Sequence, residues 1–231
     1  MLLLICKVGN SDVKDKNTSD GWYHYGKKTT YKAYKIGDEV IYNGINFYVI
    51  ENSDENSDSV TLLKEEPLKK GEVDLSSTEI ANKVYYDDNN YLTMPYYARD
   101  NCISAGGDSG CTTDYKLSDV KQVVDVWSNS KLKSSDLKED KTGYSARLIT
   151  YNELLDNLGY GDNGQGTIKM SQNGETPSWV YKYYYWTMSQ YEDSTSYVWS
   201  VDDSGYVLHH IVYSHYRYSV RPVITIKKSA I

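Results

Sequence analysis

Phenylalanine is nearly absent from this chain: one residue in 231, against 25 tyrosines. The nominal hydrophobic content of 39% therefore overstates the purely apolar part. Leu, Ile, Val and Phe together number 48, about 21% of the chain. That is just above the level of about 20% below which strongly charged chains stay disordered. The net charge is only −7, and tyrosine and tryptophan bury large rings while keeping a polar tip. A folded domain with an amphipathic aromatic core follows. The length admits one large domain or two small ones.

Other absences narrow the function. No run of 18 apolar residues exists to cross a membrane as a helix. The charges are interspersed and net acidic, so the basic stripe of a nucleic-acid footprint is missing. No repeat of 20–50 residues is visible. There is no Gly-x-Ser-x-Gly elbow, no phosphate-cradling glycine loop and no dinucleotide fingerprint. The sequence thus offers no convincing active site and calls for no cofactor.

Cysteine is scarce too: Cys6, Cys102 and Cys111. No second Cys or His pair stands at metal-ligand spacing. Cys102 and Cys111 bracket the flexible Ile-Ser-Ala-Gly-Gly-Asp-Ser-Gly loop. A disulfide between them is expected, as in exported proteins, with two free thiols as the alternative. The opening Met1-Leu2-Leu3-Leu4-Ile5-Cys6 has five apolar residues, too few for a signal peptide's apolar region. It reads either as the stump of a longer export or anchoring helix or as a buried first strand. Cys6 is a poor lipid-anchor site, because Ile5 stands where a small residue is wanted.

Residues 1–35 read as an N-terminal leader or stalk remnant and 36–231 as one domain. Val40 and Tyr42, the Asn43-Gly44 turn, and Ile45, Phe47 and Val49 predict a hairpin. Val60-Thr61-Leu62-Leu63 supplies the third strand of a meander. Residues 69–116 read as irregular. Ser118 is placed to cap a helix carrying Val120, Val123, Val124 and Trp127 on one face. A second helix opens with a Thr150–Glu153 capping box, exposes Leu154, Leu155 and Leu158 to the core, and ends at Gly159. Gly161 to Asn173 reads as a loop.

From Trp179 to Tyr218 the chain holds ten tyrosines, three tryptophans and three of its four histidines. Val198–Val201 and Tyr206–Leu208 flank a four-residue hairpin loop, Asp202–Gly205. Val220–Ile226 reads as the final strand, with Pro222 at its start or on an edge. Val180, Trp186, Met188, Val198, Val201, Val207, Val220 and Val223 form the expected apolar skeleton. The decoration comprises Gln190, Tyr191, Tyr197, Asp203, Tyr206, His209 and His210, then Tyr213, His215, Tyr216 and Tyr218. Tyrosine and tryptophan give rigid contact area at low entropic cost, and Ser, Asn and Gly adapt around them. The cluster therefore reads as a ligand-binding face. The blander alternative is that each tyrosine packs half-buried with its hydroxyl at the surface.

A metal at the histidines is disfavoured, since His209 and His210 on a strand point to opposite faces. Asp202-Asp203 reads as a solvated turn rather than a calcium site, which needs more oxygen ligands than the sequence offers.

Several segments in order resemble a family of bacterial surface modules. They are Ile36–Gly44, Leu62-Leu63-Lys64, Ala146–Glu153, Tyr185–Ser189, Val198-Trp199 with Gly205, and Val220-Arg221-Pro222-Val223-Ile224. Those modules are relatives of the C-type-lectin fold, in the branch shared with formylglycine-generating enzymes. The resemblance covers about residues 36–226. It implies an α+β domain with a twisted, mainly antiparallel sheet and two helices. It also implies a scaffold role for Arg147–Thr150 and a strand-holding role for Arg221. Some members sit on pilin-like exported proteins, and some are the variable proteins of diversity-generating retroelements. In the latter, adenine mutagenesis of asparagine codons yields Tyr, Ser, Asp and His, the alphabet of the decoration above.

The departures are informative. Formylglycine generation uses a late cysteine pair, and no cysteine follows Cys111. Calcium-dependent sugar binding in animal lectins rests on Glu-Pro-Asn or Gln-Pro-Asp, and neither occurs. The expectation is a non-catalytic ligand-binding domain displayed outside a bacterial cell, anchored through a missing or truncated N-terminal segment. Its partner would be a protein or glycan. The alternative is a minor pilin-like subunit that self-assembles through its tyrosines.

Overall fold

A computed structural model describes residues 12–15, 24–27, 29–97, 112–162, 169–171, 176–192, 194–213 and 217–231. Strands β1 (Asp12–Asp15) and β2 (His24–Lys27) form a separate antiparallel pair within the segment read as the leader. Further along the same segment, Tyr34 is buried, and its backbone exchanges two 2.9 Å hydrogen bonds with Ser53.

The meander forms where the sequence places it. Asn43 and Gly44 take φ of +50° and +74°, the double positive φ that a type I′ turn demands. They join β3 (Glu39–Tyr42) to β4 (Ile45–Val49), with Tyr42 opposite Ile45. Strand β5 (Ser59–Lys64) pairs next to β4.

Both expected α-helices form. Helix α1 (Asp119–Lys131) is capped by Ser118, whose Oγ accepts the Lys121 N–H at 3.2 Å, and it buries Val120, Val123, Val124 and Trp127. Helix α2 (Tyr151–Leu158) has the reciprocal capping box: Thr150 Oγ1 accepts from Glu153 N at 3.0 Å, and Glu153 Oε2 accepts from Thr150 N at 2.9 Å. Gly159 ends it at φ +75°, the left-handed position that glycine fills without a Cβ clash.

Glu153 also binds the guanidinium of buried Arg147 bidentately, at 2.8 and 2.5 Å, and Arg147 Nε reaches Asp140 at 2.8 Å. Burial opposes charge on Arg147, but the two carboxylates outweigh it and raise its pKa. The cluster fastens the short strand that carries Arg147, β8 (Ala146–Arg147), to the start of α2.

Two sheets complete the domain. One runs β3-β4-β5-β15-β8, with β15 (Val223–Lys227) between β5 and β8. Both of its faces are covered. Val60, Leu62, Ile224 and Ile226 join the core around α1, whereas Leu63 and Val223 join a second core around Leu154 and Leu158 of α2.

The larger sheet has eight strands in the order β6-β7-β14-β11-β12-β13-β10-β9. Its central strands are β11 (Tyr185–Gln190), β12 (Tyr197–Val201) and β13 (Tyr206–Ile211). Beside them lie β14 (Tyr218–Ser219), β7 (Leu92–Met94) and β6 (Tyr85–Tyr86) on one side. On the other side are β10 (Lys169–Ser171) and β9 (Tyr160–Asp162). Its pairings are antiparallel except β11–β14, which is parallel at Tyr185 and Ser219. The class is α+β, with two α-helices among the described residues and mainly antiparallel sheets.

Three expectations need correction. The segment read as irregular contains β6 and β7: β7 pairs with β14 from far along the chain, and β6 pairs locally with β7. The loop expected over Gly161–Asn173 contains β10, stitched between β9 and β13. The final strand expected over Val220–Ile226 begins only at Val223 and runs to Lys227 in the small sheet, and just before it Tyr218–Ser219 forms a separate short strand of the large sheet. Pro222 lies just before Val223, where its carbonyl accepts the Lys64 N–H at 2.8 Å.

Candidate ligand-binding site

The apolar skeleton of the C-terminal block is buried, except that Met188 is half-buried against the core. Asp202–Gly205 closes the β12–β13 hairpin, with Asp202 Oδ1 accepting from the N–H groups of Ser204 (3.0 Å) and Tyr206 (2.8 Å). Tyr206 is thus held at the strand's start, half-buried. Gly205 takes φ +87°, and a Cβ there would meet the Tyr181 ring at 3.7 Å. The turn lies against that ring and presents exposed Asp203.

Strand alternation divides the proposed contact residues between two faces of the hairpin. Trp199 pairs with His209, and Val198 with His210. On the first face the rings pack on one another. Tyr151 stacks on Trp199 at 4.4 Å, Tyr191 stands edge-on to Trp199 at 5.0 Å, and Tyr191 stacks on His209 at 4.0 Å. Tyr197, 37% exposed, meets His209 edge-on at 5.4 Å. Gln190 is exposed at the end of β11, past a register shift between Trp186 and Gln190.

On the opposite face His210 is half-buried between two hydroxyls: Ser200 Oγ at 2.8 Å from Nδ1 and Tyr218 at 2.8 Å from Nε2. Burial, reinforced by the neighbouring His209, pulls the His210 pKa down to about 4. It is therefore neutral at pH 7, and one ring nitrogen donates while the other accepts. Tyr218 itself is buried, with its ring edge-on to Trp186 at 4.7 Å. Tyr213 is half-buried against the same core. His215 and Tyr216 lie outside the described residues, as do Cys102 and Cys111. Among the described residues no three His, Cys, Asp or Glu side chains converge as metal ligands.

The described strand residues of the expected face are therefore divided between two sides of the hairpin. What the fold does assemble is a cleft of about 690 Å³ beside the hairpin turn, where Asp203 and Tyr218 meet residues the sequence reading did not select. Tyr183, Tyr184 and Tyr91 line it, with the Tyr91 ring packed edge-on against Tyr183 at 5.1 Å. Tyr184 is 45% exposed. A hydrogen bond to Asp203, together with burial, pushes the Tyr184 hydroxyl above its ordinary pKa. Tyr91 donates to Glu66 at 3.0 Å, and Arg217 at the rim lies 3.4 Å over the Tyr85 ring.

The wall is fixed from behind by Arg221, which is fully buried. Its Nε donates to the Lys64 carbonyl (2.8 Å), Nη1 to that of Val180 (2.9 Å) and Nη2 to that of Glu65 (2.8 Å). It also lies within 5.4 Å of the Tyr183 ring and 5.2 Å of the Tyr185 ring. Burial pulls its pKa down, partly offset by the neighbouring tyrosines. Arg221 ties the end of β5 to the segment that carries the cleft wall, and so holds more than the final strand.

The missed residues had weak signals. Tyr183 and Tyr184 lie inside the tyrosine-rich stretch, but no periodicity separates them from their packed neighbours. Tyr91 and Glu66 lie far away in sequence and reach the cleft through β7 and the chain after β5. No protein-family model, curated protein or solved structure matches the chain. The cleft and its chemistry are therefore the ground for a functional reading.

Proposed function

We propose that the chain is a non-catalytic ligand-binding domain, displayed at a bacterial surface, whose contact site is the tyrosine-walled cleft beside the β12–β13 turn. The C-type-lectin-like fold is part of this reading. Its support is the order of the motifs from Ile36–Gly44 to Val220–Ile224, together with the α+β, mainly antiparallel architecture. The retroelement-diversified form of the reading rests on the Tyr, Ser, Asp and His composition of the C-terminal block.

One observation carries the binding reading: Tyr184, a large ring 45% exposed, faces a cleft that also collects carboxylate and guanidinium groups. Large rings held open beside polar groups are what recognition surfaces use. The test is binding to immobilised glycans and to a displayed peptide library, comparing the full chain with Tyr184→Ala. We expect ligands for the full chain that weaken at least tenfold for the variant at unchanged melting temperature. Equal binding by both proteins would remove the cleft from this role.

The assembly alternative draws on one feature. Ile41, 69% exposed, lies on β3, an edge strand of the five-stranded sheet, and open edges invite pairing. Sedimentation that is independent of concentration would dismiss it.

A further inference from the structure

A second cleft, of about 640 Å³, adjoins the first. Lys182 and Asp203 line both, so the two clefts are neighbours that share a polar edge. The second cleft is built on Trp179, half-buried and stacked on Tyr48 at 4.5 Å and 16°, with Tyr181 beside it. Each cleft falls within the range of about 300–1,000 Å³ that takes a small ligand.

The lining chemistry selects the ligand. Among the described residues neither cleft is lined by an aliphatic side chain; the large apolar groups are tyrosine and tryptophan rings. Pockets for peptide side chains or drug-like molecules are largely apolar, with few polar groups. Here the polar lining both donates and accepts, from Lys182, Arg217 and Ser219 to Asp203, Asn89 and Glu65. An aromatic face is electronegative and favours the slightly positive C–H face of a pyranose, while hydroxyls around the sugar ring both donate and accept.

Fixed charge is already occupied. Glu66 pairs with Lys69 at 2.6 Å, Asp87 caps its own turn through the Asn89 and Tyr91 N–H groups, and Arg217 lies on Tyr85. Lys182 and Asp203 remain together with Glu65, whose carboxylate, among the described residues, accepts only from the neutral Asn46 amide at 2.9 Å, so the lining is net acidic and disfavours an anion.

We infer that the two clefts are adjoining subsites of one groove for a neutral oligosaccharide, with Tyr184 and Trp179 as stacking platforms and Asp203 between them bonding hydroxyls. This rests on the binding role proposed above for the first cleft and deepens it.

The experiment is titration calorimetry of the full chain against linear neutral oligosaccharides of one to six units, in β-linked glucose and N-acetylglucosamine series. Affinity in the recognised series should rise at least tenfold between the shortest binding oligomer and one long enough to reach both clefts. Trp179→Ala should cancel that gain and leave the shortest oligomer bound as before, whereas Tyr184→Ala should weaken every length. Trp179→Phe keeps an aromatic face and should restore most of the gain, which separates stacking from folding. Affinity independent of length, or a length gain that survives Trp179→Ala, overturns the inference. If no neutral oligosaccharide binds but a peptide does and Tyr184→Ala abolishes it, the two-subsite glycan groove falls and the binding domain stands. Binding of neither class removes both.

Discussion

The same residue type does two different jobs on the two sides of the C-terminal hairpin. At the open end of β12–β13, Tyr191, His209 and Trp199 cover much of one another's ring surface, and Tyr197, 37% exposed, closes the cluster edge-on to His209. Beside the hairpin turn, Tyr183 and Tyr184 line a cleft. A high tyrosine content is thus no contact surface by itself. A ring covered on both faces contributes stability, and a ring with one face left exposed, such as Tyr184 beside Tyr218, is available for binding.

The difference predicts effects that descend in size. Trp199→Ala removes the ring on which Tyr151 and Tyr191 both pack, in a buried site. A loss of about 3–5 kcal/mol is expected for such a truncation, read by denaturant unfolding. A cost below 1 kcal/mol would mean the stack is decoration rather than core. Arg221→Met leaves the carbonyls of Lys64, Val180 and Glu65 without their guanidinium donor. We expect a loss of about 3 kcal/mol, and weaker ligand binding in whatever fraction stays folded, because the cleft wall loses its tie.

Acid should loosen the His210 side first. The folded pKa of His210 lies near 4, below its ordinary 6.5, so its contribution is fully present above pH 6.5 and is lost as pH falls toward 4. Over that window the unfolded chain takes up the proton first, and roughly 2–3 kcal/mol is lost from this group. Unfolding free energies at pH 7 and pH 4.5 should therefore differ less for His210→Gln than for the unaltered chain. Equal differences would show that His210 is not shielded as its two hydrogen bonds suggest. The smallest stability effect belongs to Tyr184→Ala, within about 0.5 kcal/mol, although it is expected to carry the largest binding loss. A large destabilisation there would erase the contrast between packed and open rings.

Much of the scaffold was legible because its signals are local. Asn43-Gly44 forces a hairpin, Thr150 and Glu153 cap a helix reciprocally, and Gly205 permits a tight turn. The valines of the last block are buried as their apolar character suggests, Val198 in one core and Val201 in the other because both faces of β12 are covered. The opposed directions of His209 and His210 follow from the same period of two. Strands β6, β7 and β10 carry little local signal because each is two or three residues long, and β7 and β10 depend on the distant partners β14 and β13. The contact residues were harder still. Tyr191 and Tyr184 are alike in composition and neighbourhood, yet a register shift in β11 and the Arg221 anchor send one into a stack and the other to a cleft.

The sequence by itself determined an amphipathic aromatic core, the turns, the helix caps and the alternation of the central strands. Each depends on dihedral preference or spacing within a few residues. The tertiary structure alone decided which rings are covered, because that depends on pairings across more than a hundred residues, such as Met94 with Tyr218. It joined Tyr91, Glu66 and Asp203 in one groove, a meeting that no local pattern encodes.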